Sequence, residues 1–255
     1  MEIDGLNKVD WIAGLERGLA ILACFDNDHP TMTATQAAER AGLNRTAARR
    51  YLLTLAHLGY LHSDGKKFGL TPRVLKLGWS YLDSAALPRL LMPFLQRVTA
   101  ILNESVYVCV LDGWDSVCIA RNGTSRVMTS GFALGSRLPA HLASPGIAML
   151  GFQPQQEVLA RMAELALVPF TPHTITDYQL LYREVEKSRE LGYALLEQQM
   201  QTGVRGIAMP LKNRTGQLVA AMSVSMPIKN ETTEEAVERV LPVLQETANS
   251  LINHL

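Results

Sequence analysis

Three arginines and a threonine crowd into two helical turns at Arg45-Thr46-Ala47-Ala48-Arg49-Arg50. Arg45 and Arg49 stand one turn apart, and so do Thr46 and Arg50. A guanidinium offers a planar fork to guanine or phosphate, and threonine offers a hydroxyl or a methyl. That is the chemistry of a helix lying in a DNA major groove. A second chemical stretch is Leu138-Pro139-Ala140-His141-Leu142-Ala143-Ser144-Pro145-Gly146-Ile147. Ser144 suits a helix cap and Pro145 the first helical position. The amides of Ser144, Gly146 and Ile147 would then form a carboxylate or phosphate site, in which Ala140 and His141 are further candidates. A plain helix start is the competing reading, and a core histidine bonded to backbone competes for His141. The polar segment 197–206, with Glu197, Gln199 and Gly206, is either one wall of a pocket or an exposed loop.

The elements that must position these groups can be read from spacing. Asn44 is a good N-cap for a helix from Arg45 on which Ala48, Leu52, Leu55 and Leu58 recur at helical spacing. Gly59 stops it, and Gly42 ends the helix before it. That preceding helix, residues 33–41, adds Thr35 and Gln36 to the candidate DNA contacts, among which Asn44 is also counted. After Gly59, two short strands flank Ser63-Asp64-Gly65-Lys66-Lys67, a hairpin with lysines at its tip. Helix, turn, helix and hairpin make a winged helix-turn-helix, with Lys66 and Lys67 placed to meet phosphate. An amphipathic helix over residues 11–25 precedes these parts, its apolar face supplied by Ile12, Leu15, Leu19, Ile21 and Leu22. The competing reading, an amphipathic surface helix with a wet arginine face, does not account for this order of parts.

Thr71-Pro72 opens a connecting helix running to about residue 85. Its large apolar residues Leu77, Trp79, Tyr81 and Leu82 exceed what a free linker carries, which predicts packing against a second copy. Another helix spans 88–102. The period then changes to that of strands at 105–111, 116–121, 127–130, 193–196, 206–211 and 218–224. Helices are expected at 157–165, 180–191 and 233–254. The fold class is therefore α+β: a winged domain over 1–70, a linker helix over 71–87, and a domain over 88–255 around a mostly antiparallel sheet.

Net charge is zero over 255 residues, yet residues 40–76 hold eight basic side chains against Asp64 alone, a net +7 that leaves −7 elsewhere. Attraction for phosphate is thus confined to one stretch, as expected of a regulator and not of a protein that coats nucleic acid. No apolar run approaches the roughly 18 residues of a membrane span, and no signal-peptide pattern stands at the N-terminus, so a cytoplasmic protein is expected. Cys24, Cys109 and Cys118 lack metal spacing and read as reduced, buried thiols. Ser144 and His141 raise the alternative of a hydrolase. Against it, Pro145 follows the serine, no Gly-x-Ser-x-Gly elbow is present, and only two residues separate the pair. No enzyme activity, cofactor or metal site is expected.

The chain resembles the IclR-type bacterial transcriptional regulators from Gly14 to His254. The residues that carry the resemblance are Gly14-Leu-Glu-Arg-Gly-Leu-Ala-Ile-Leu22, Ala41-Gly-Leu-Asn-Arg-Thr-Ala-Ala-Arg-Arg50, Leu138-Pro-Ala-His141, Gly192-Tyr-Ala194, Gly203-Val-Arg-Gly-Ile-Ala-Met-Pro210 and Val219-Ala-Ala-Met-Ser-Val-Ser225. More narrowly, Arg45-Thr-Ala-Ala-Arg-Arg50 with Leu52-Leu-Thr-Leu55, and Gly135-Ser-Arg-Leu-Pro-Ala140, look like the branch controlling the β-ketoadipate and 4-hydroxybenzoate pathways. The resemblance implies a winged N-terminal domain, a linker helix and a GAF-like effector domain. It also implies a double-stranded DNA operator, homodimers or homotetramers, RNA polymerase as a candidate partner, and a small, aromatic carboxylate effector. It places pocket residues at Ser144, Pro145, Gly146, Glu197, Gly206, Leu138 and Met222. Ser144-Pro145-Gly146-Ile147 departs from the branch's Ser-Met-Gly-Arg, and Gly206 stands where a small polar residue or cysteine is common.

Overall fold

The computed structural model describes residues 9–84, 86–123, 133–229 and 231–255 of the chain. It comprises two compact units, Met1–Ser84 and Ala85–Leu255. The strand expected at 127–130 lies outside the described residues.

The first unit carries α1 (Ala13–Ala23), β1 (Thr31–Thr33), α2 (Ala34–Arg40), α3 (Arg45–His57), β2 (Leu61–Ser63) and β3 (Lys67–Leu70). A 3₁₀ turn at Pro72–Val74 leads into α4 (Leu75–Ser84). Local chemistry sets each boundary. Thr33 and Gln36 form a capping box at the start of α2. Gly42 takes φ +64° where the chain leaves α2, a conformation glycine adopts without a Cβ penalty. Asn44 accepts the Ala47 amide at 2.8 Å and so caps α3. Ala48, Leu52 and Leu55 then meet Ile21, Met32, Leu61 and Phe68 in one core. Burying each leucine contributes roughly 1.5–3 kcal/mol.

Two features differ from expectation. β1 is a third strand, pairing with β3 so that Met32 faces Phe68. Three residues are too few for a period to show in the sequence. The apolar face of α1 is also split. Ile21 is buried, whereas Ile12, Leu15 and Leu19 are exposed.

The second unit holds α5 (Ala86–Leu102), β4 (Ser105–Asp112), β5 (Asp115–Asn122), β6 (Arg137–Pro139), α6 (Ser144–Leu150), α7 (Gln155–Met162) and α8 (Tyr178–Leu191). It continues with β7 (Ala194–Glu197), β8 (Val204–Lys212), β9 (Leu218–Pro227) and α9 (Thr233–Leu251). The six strands run in the order β6-β5-β4-β9-β8-β7, every described pair antiparallel. One face packs on α5 and α9 through Leu95, Ile207, Met222, Val224 and Val240. The other packs on α6, α7 and α8 through Tyr107, Ile147, Val158, Val185, Ala208 and Ala221. The structure is α+β, as the strand and helix periods predict.

One buried charge ties this unit together. Arg205 on β8 is 3% exposed, and its Nε donates to Glu197 Oε1 at 2.5 Å. Its other nitrogens donate to the Thr232 carbonyl at 3.0 Å and Thr233 Oγ1 at 3.2 Å. The start of α9 is thereby fastened to the sheet. Removing the guanidinium takes away the only cation paired with Glu197 among the described residues and leaves that carboxylate with the Thr233 hydroxyl alone, which costs more than the bonds themselves contribute. Arg205→Ala is expected to lower unfolding stability by about 2–4 kcal/mol. Denaturant titration checks this, and a loss below 0.5 kcal/mol would remove the tie from the fold's main supports.

Candidate functional site

In the first unit, Arg45, Thr46, Arg49 and Arg50 are all exposed on α3, opposite its buried Ala48–Leu52–Leu55 seam. None of the three arginines has an ion-pair partner among the described residues. Two other basic residues of the +7 stretch are committed elsewhere. Arg40 donates to Asp26 at 2.5 Å and to the Cys24 carbonyl at 3.0 Å. Arg73 donates to the Leu58 carbonyl. The positive charge left over therefore concentrates on α3 and the β2–β3 wing.

The wing tip is preorganised by Asp64, whose Oδ1 accepts the amides of Lys67 at 2.7 Å and Lys66 at 2.8 Å. These bonds, Lys67 first, hold its carboxyl below the usual carboxylate range. Lys66 and Lys67 remain exposed, as does Thr35. Gln36 is exposed, but its carbonyl oxygen accepts the Thr33 amide at 2.9 Å in the capping box.

In the second unit, a cavity of about 50 Å³ lies between the start of α6 and the β7–β8–β9 side of the sheet. Ser144, Ser223 and Ser225 supply hydroxyls, and Leu142, Leu196 and Val204 supply apolar wall. Ser144 Oγ and Ser223 Oγ are 3.0 Å apart. Gly206 lies directly beneath, because a Cβ built there would stand 2.5 Å from Ser144 Oγ. The turn after β7 closes one side. Gln198 holds φ +56°, an uncommon conformation for a residue with a Cβ, and its side chain accepts the Gly203 amide at 2.9 Å.

Of the residues expected to form the pocket, Ser144, Gln199 and Gly206 line this cavity and the others do not. Gln199 lines it while its amide is engaged elsewhere. It donates to the His173 carbonyl at 3.0 Å and the Glu197 carbonyl at 2.9 Å, and it accepts the Ile175 amide at 2.9 Å. Glu197 is corrected to the opposite face, where it pairs with Arg205 and accepts Thr233 Oγ1 at 2.9 Å. Met222 is likewise corrected into the α5–α9 core. Both errors are one residue of strand register, since neighbours on a strand point to opposite faces.

Ala143, not Ser144, is the N-cap of α6, which leaves the Ser144 hydroxyl for the cavity. Pro145 and Gly146 are packed inside the domain, and a Cβ on Gly146 would come 2.1 Å from the Ala140 carbonyl oxygen. Gly146 thus permits a close approach of α6 to the preceding turn and offers no open amide cradle. Leu138 sits in β6 opposite Ser116, and Ala140 is a core residue. His141 is 5% exposed, its Nδ1 has no hydrogen-bond partner among the described residues, and burial pushes its pKa down. Sequence reading missed Ser223 and Ser225. Their signal was a hydroxyl at every second position of the apolar run Ala221-Met222-Ser223-Val224-Ser225.

A winged helix-turn-helix with unpaired arginines, joined in one chain to an α+β unit whose cavity is lined by serine hydroxyls and apolar side chains, defines a DNA-binding protein of the ligand-responsive class. Residues 14–65 match the IclR helix-turn-helix domain, and residues 79–253 match the bacterial transcriptional regulator IclR C-terminal domain. The chain belongs to the IclR family of bacterial transcriptional regulators. It is 38% identical to the Pca operon regulatory protein of Acinetobacter baylyi over 96% of its length and 90% of that protein's. It is also 38% identical to the p-hydroxybenzoate hydroxylase transcriptional activator of the same organism, over 96% and 92%. Among solved structures, an IclR homologue from Microbacterium hydrocarbonoxydans complexed with 4-hydroxybenzoate superposes with a TM-score of 0.75. That structure is 25% identical, over 94% of this chain and 98% of its own.

Gly146→Ala forces a side-chain carbon against backbone that has nowhere to move. It is expected to destabilise the second unit by about 3 kcal/mol, at the upper end of overpacking costs. A melting temperature within a degree of the parent would show that α6 and the turn before it separate freely.

Proposed function

We propose that this regulator reads its operator with Arg45, Thr46, Arg49 and Arg50 in the major groove while Lys66 and Lys67 hold phosphate from the wing. A small aromatic carboxylate bound in the Ser144–Ser223–Ser225 cavity controls that binding. The observation that carries this reading is the cavity itself, lined by serine hydroxyls and apolar side chains, with Gly206 leaving space for the Ser144 hydroxyl. This is how a ring with polar ends is recognised. The relative named as a p-hydroxybenzoate hydroxylase transcriptional activator and the neighbour holding 4-hydroxybenzoate support the same ligand class. At about 50 Å³ the space is smaller than the roughly 300–1,000 Å³ of ligand clefts, so binding requires Met200 and the turn around it to move outward.

Leu75, Leu77 and Trp79 are exposed on α4, which supports a homodimer formed along that helix. A linker over 71–87 joins a winged domain over 1–70 to an effector domain over 88–255, and two such domains present α3 to successive turns of DNA. The protein acts in the cytoplasm and is not a hydrolase. Ser144 Oγ is bonded to Ser223 and not to the His141 ring, so nucleophile and base are not joined.

Arg49→Ala is expected to cost about 1–3 kcal/mol of specific binding if it reads a base, whereas Lys67→Ala should weaken specific and random DNA alike and reduce the salt slope by about 1. Gel-shift titrations across salt concentrations measure both. Unchanged operator affinity removes Arg49 from the reading set, and an unmoved slope removes Lys67 from the phosphate contacts.

For the effector, thermal stabilisation is measured against 4-hydroxybenzoate, protocatechuate, β-ketoadipate and short keto acids. A hundredfold excess over the dissociation constant should add about 2.7 kcal/mol. Gly206→Leu should abolish the shift, because its side chain would fill the space beside Ser144 Oγ. Stabilisation by short aliphatic acids alone would overturn the aromatic assignment.

A further inference from the structure

A larger cleft, about 350 Å³, lies on the far side of β7 from the hydroxyl-lined cavity. The last turns of α8 and the first turns of α9 form its sides. Three carboxylates line it, Glu184, Glu234 and Glu238, against the single cation Lys187. The side chains of these four make no hydrogen bond or ion pair among the described residues, and the three carboxylates outnumber the one ammonium. Lys187 is exposed and can turn its ammonium to solvent along a flexible stem. The C-terminal end of α8 adds partial negative charge from its last carbonyls, and the N-terminus of α9 adds partial positive charge beside Glu234.

Ser188 supplies an independent pointer to a ligand. It lines the cleft, is 2% exposed, and its Oγ has no hydrogen-bond partner among the described residues. A buried hydroxyl left without a partner costs roughly 1–3 kcal/mol, so such groups are usually satisfied by something. The remaining wall is apolar, from Leu191, Tyr193 and Val237.

We propose that this cleft binds a small organic cation, a primary amine carrying an apolar body. An ammonium has three N–H donors and no acceptor. The carboxylates and the Ser188 hydroxyl supply acceptors of matching kind, and Leu191 and Tyr193 cover the hydrocarbon. A carboxylate ligand is excluded by the same charges, whereas no charged side chain lines the hydroxyl-bearing cavity. They share a strand, since Leu195 faces the cleft and Leu196 the hydroxyl-lined cavity.

The test uses the full-length protein, with phenethylamine as probe and phenylacetate as the control of like size and opposite charge. Isothermal titration should show saturable binding of phenethylamine. The double variant Glu184→Gln, Glu238→Gln should weaken it by about tenfold or more, as expected when hydrogen bonds to charged groups are lost. Ser188→Ala should weaken it several-fold while raising the melting temperature of the unliganded protein, because it removes the unsatisfied hydroxyl. Phenylacetate should show no binding that responds to the double substitution. The proposal is overturned if phenethylamine does not saturate at millimolar concentration, or if it binds parent and double variant equally. It is also overturned if the parent ignores the amine while the double variant changes oligomeric state on gel filtration, which would make the cleft a subunit contact.

Discussion

The pleat of β8 and β9 governs the second unit. Successive side chains on these paired strands point to opposite faces, and each face meets a different layer of helices. Gly206, Ala208, Ser223 and Ser225 belong to the face under α6. Arg205, Ile207, Met222 and Val224 belong to the face under α9. A shift of one residue in the pairing of Gly206 with Ser225 would turn one strand over, so that either the β9 hydroxyls were buried against α5 or Arg205 came under Ser144. The cavity, the Arg205 tie and the close seat of α6 all rest on that single register.

The first unit depends on a sorting of charges. Arg40 and Arg73 are spent on carbonyls and Asp26 within the unit, where they brace the chain around α2 and after α3. Arg45, Arg49 and Arg50 are left without ion partners on an exposed helical face. Unpaired cations repel one another, and a phosphate backbone relieves that repulsion while releasing its counterions. The capping of α3 by Asn44 and the bracing of the wing by Asp64 use neutral or acidic groups, so neither consumes a basic side chain needed for DNA.

The DNA-facing part was legible in the chain because its signals are local. Asn44, the 48–52–55 spacing and Gly59 are all within one helix, and the wing is a hairpin closed over three residues. β1 was not legible, since it exists only through its pairing with β3. The cavity was half legible. Ser144 and Gly206 were found from motifs, but Glu197 and Met222 were assigned to the wrong face of the sheet. Ser223 and Ser225 carried a usable signal in their alternation, whereas Leu142, Leu196 and Val204 look like any other core residues.

The sequence by itself determined the longer helices and strands, where the positive charge collects, and the class of protein this is. Those properties follow from nearest neighbours, caps and composition. Only the tertiary structure decided which polar residues share a cavity and which lock α9 to the sheet. It also showed that Gly146 serves packing against Ala140 and not a bound anion. The physical reason is that a strand's period tells alternate residues apart without saying which set faces which layer of helices. That choice is made when distant segments bury their apolar faces together.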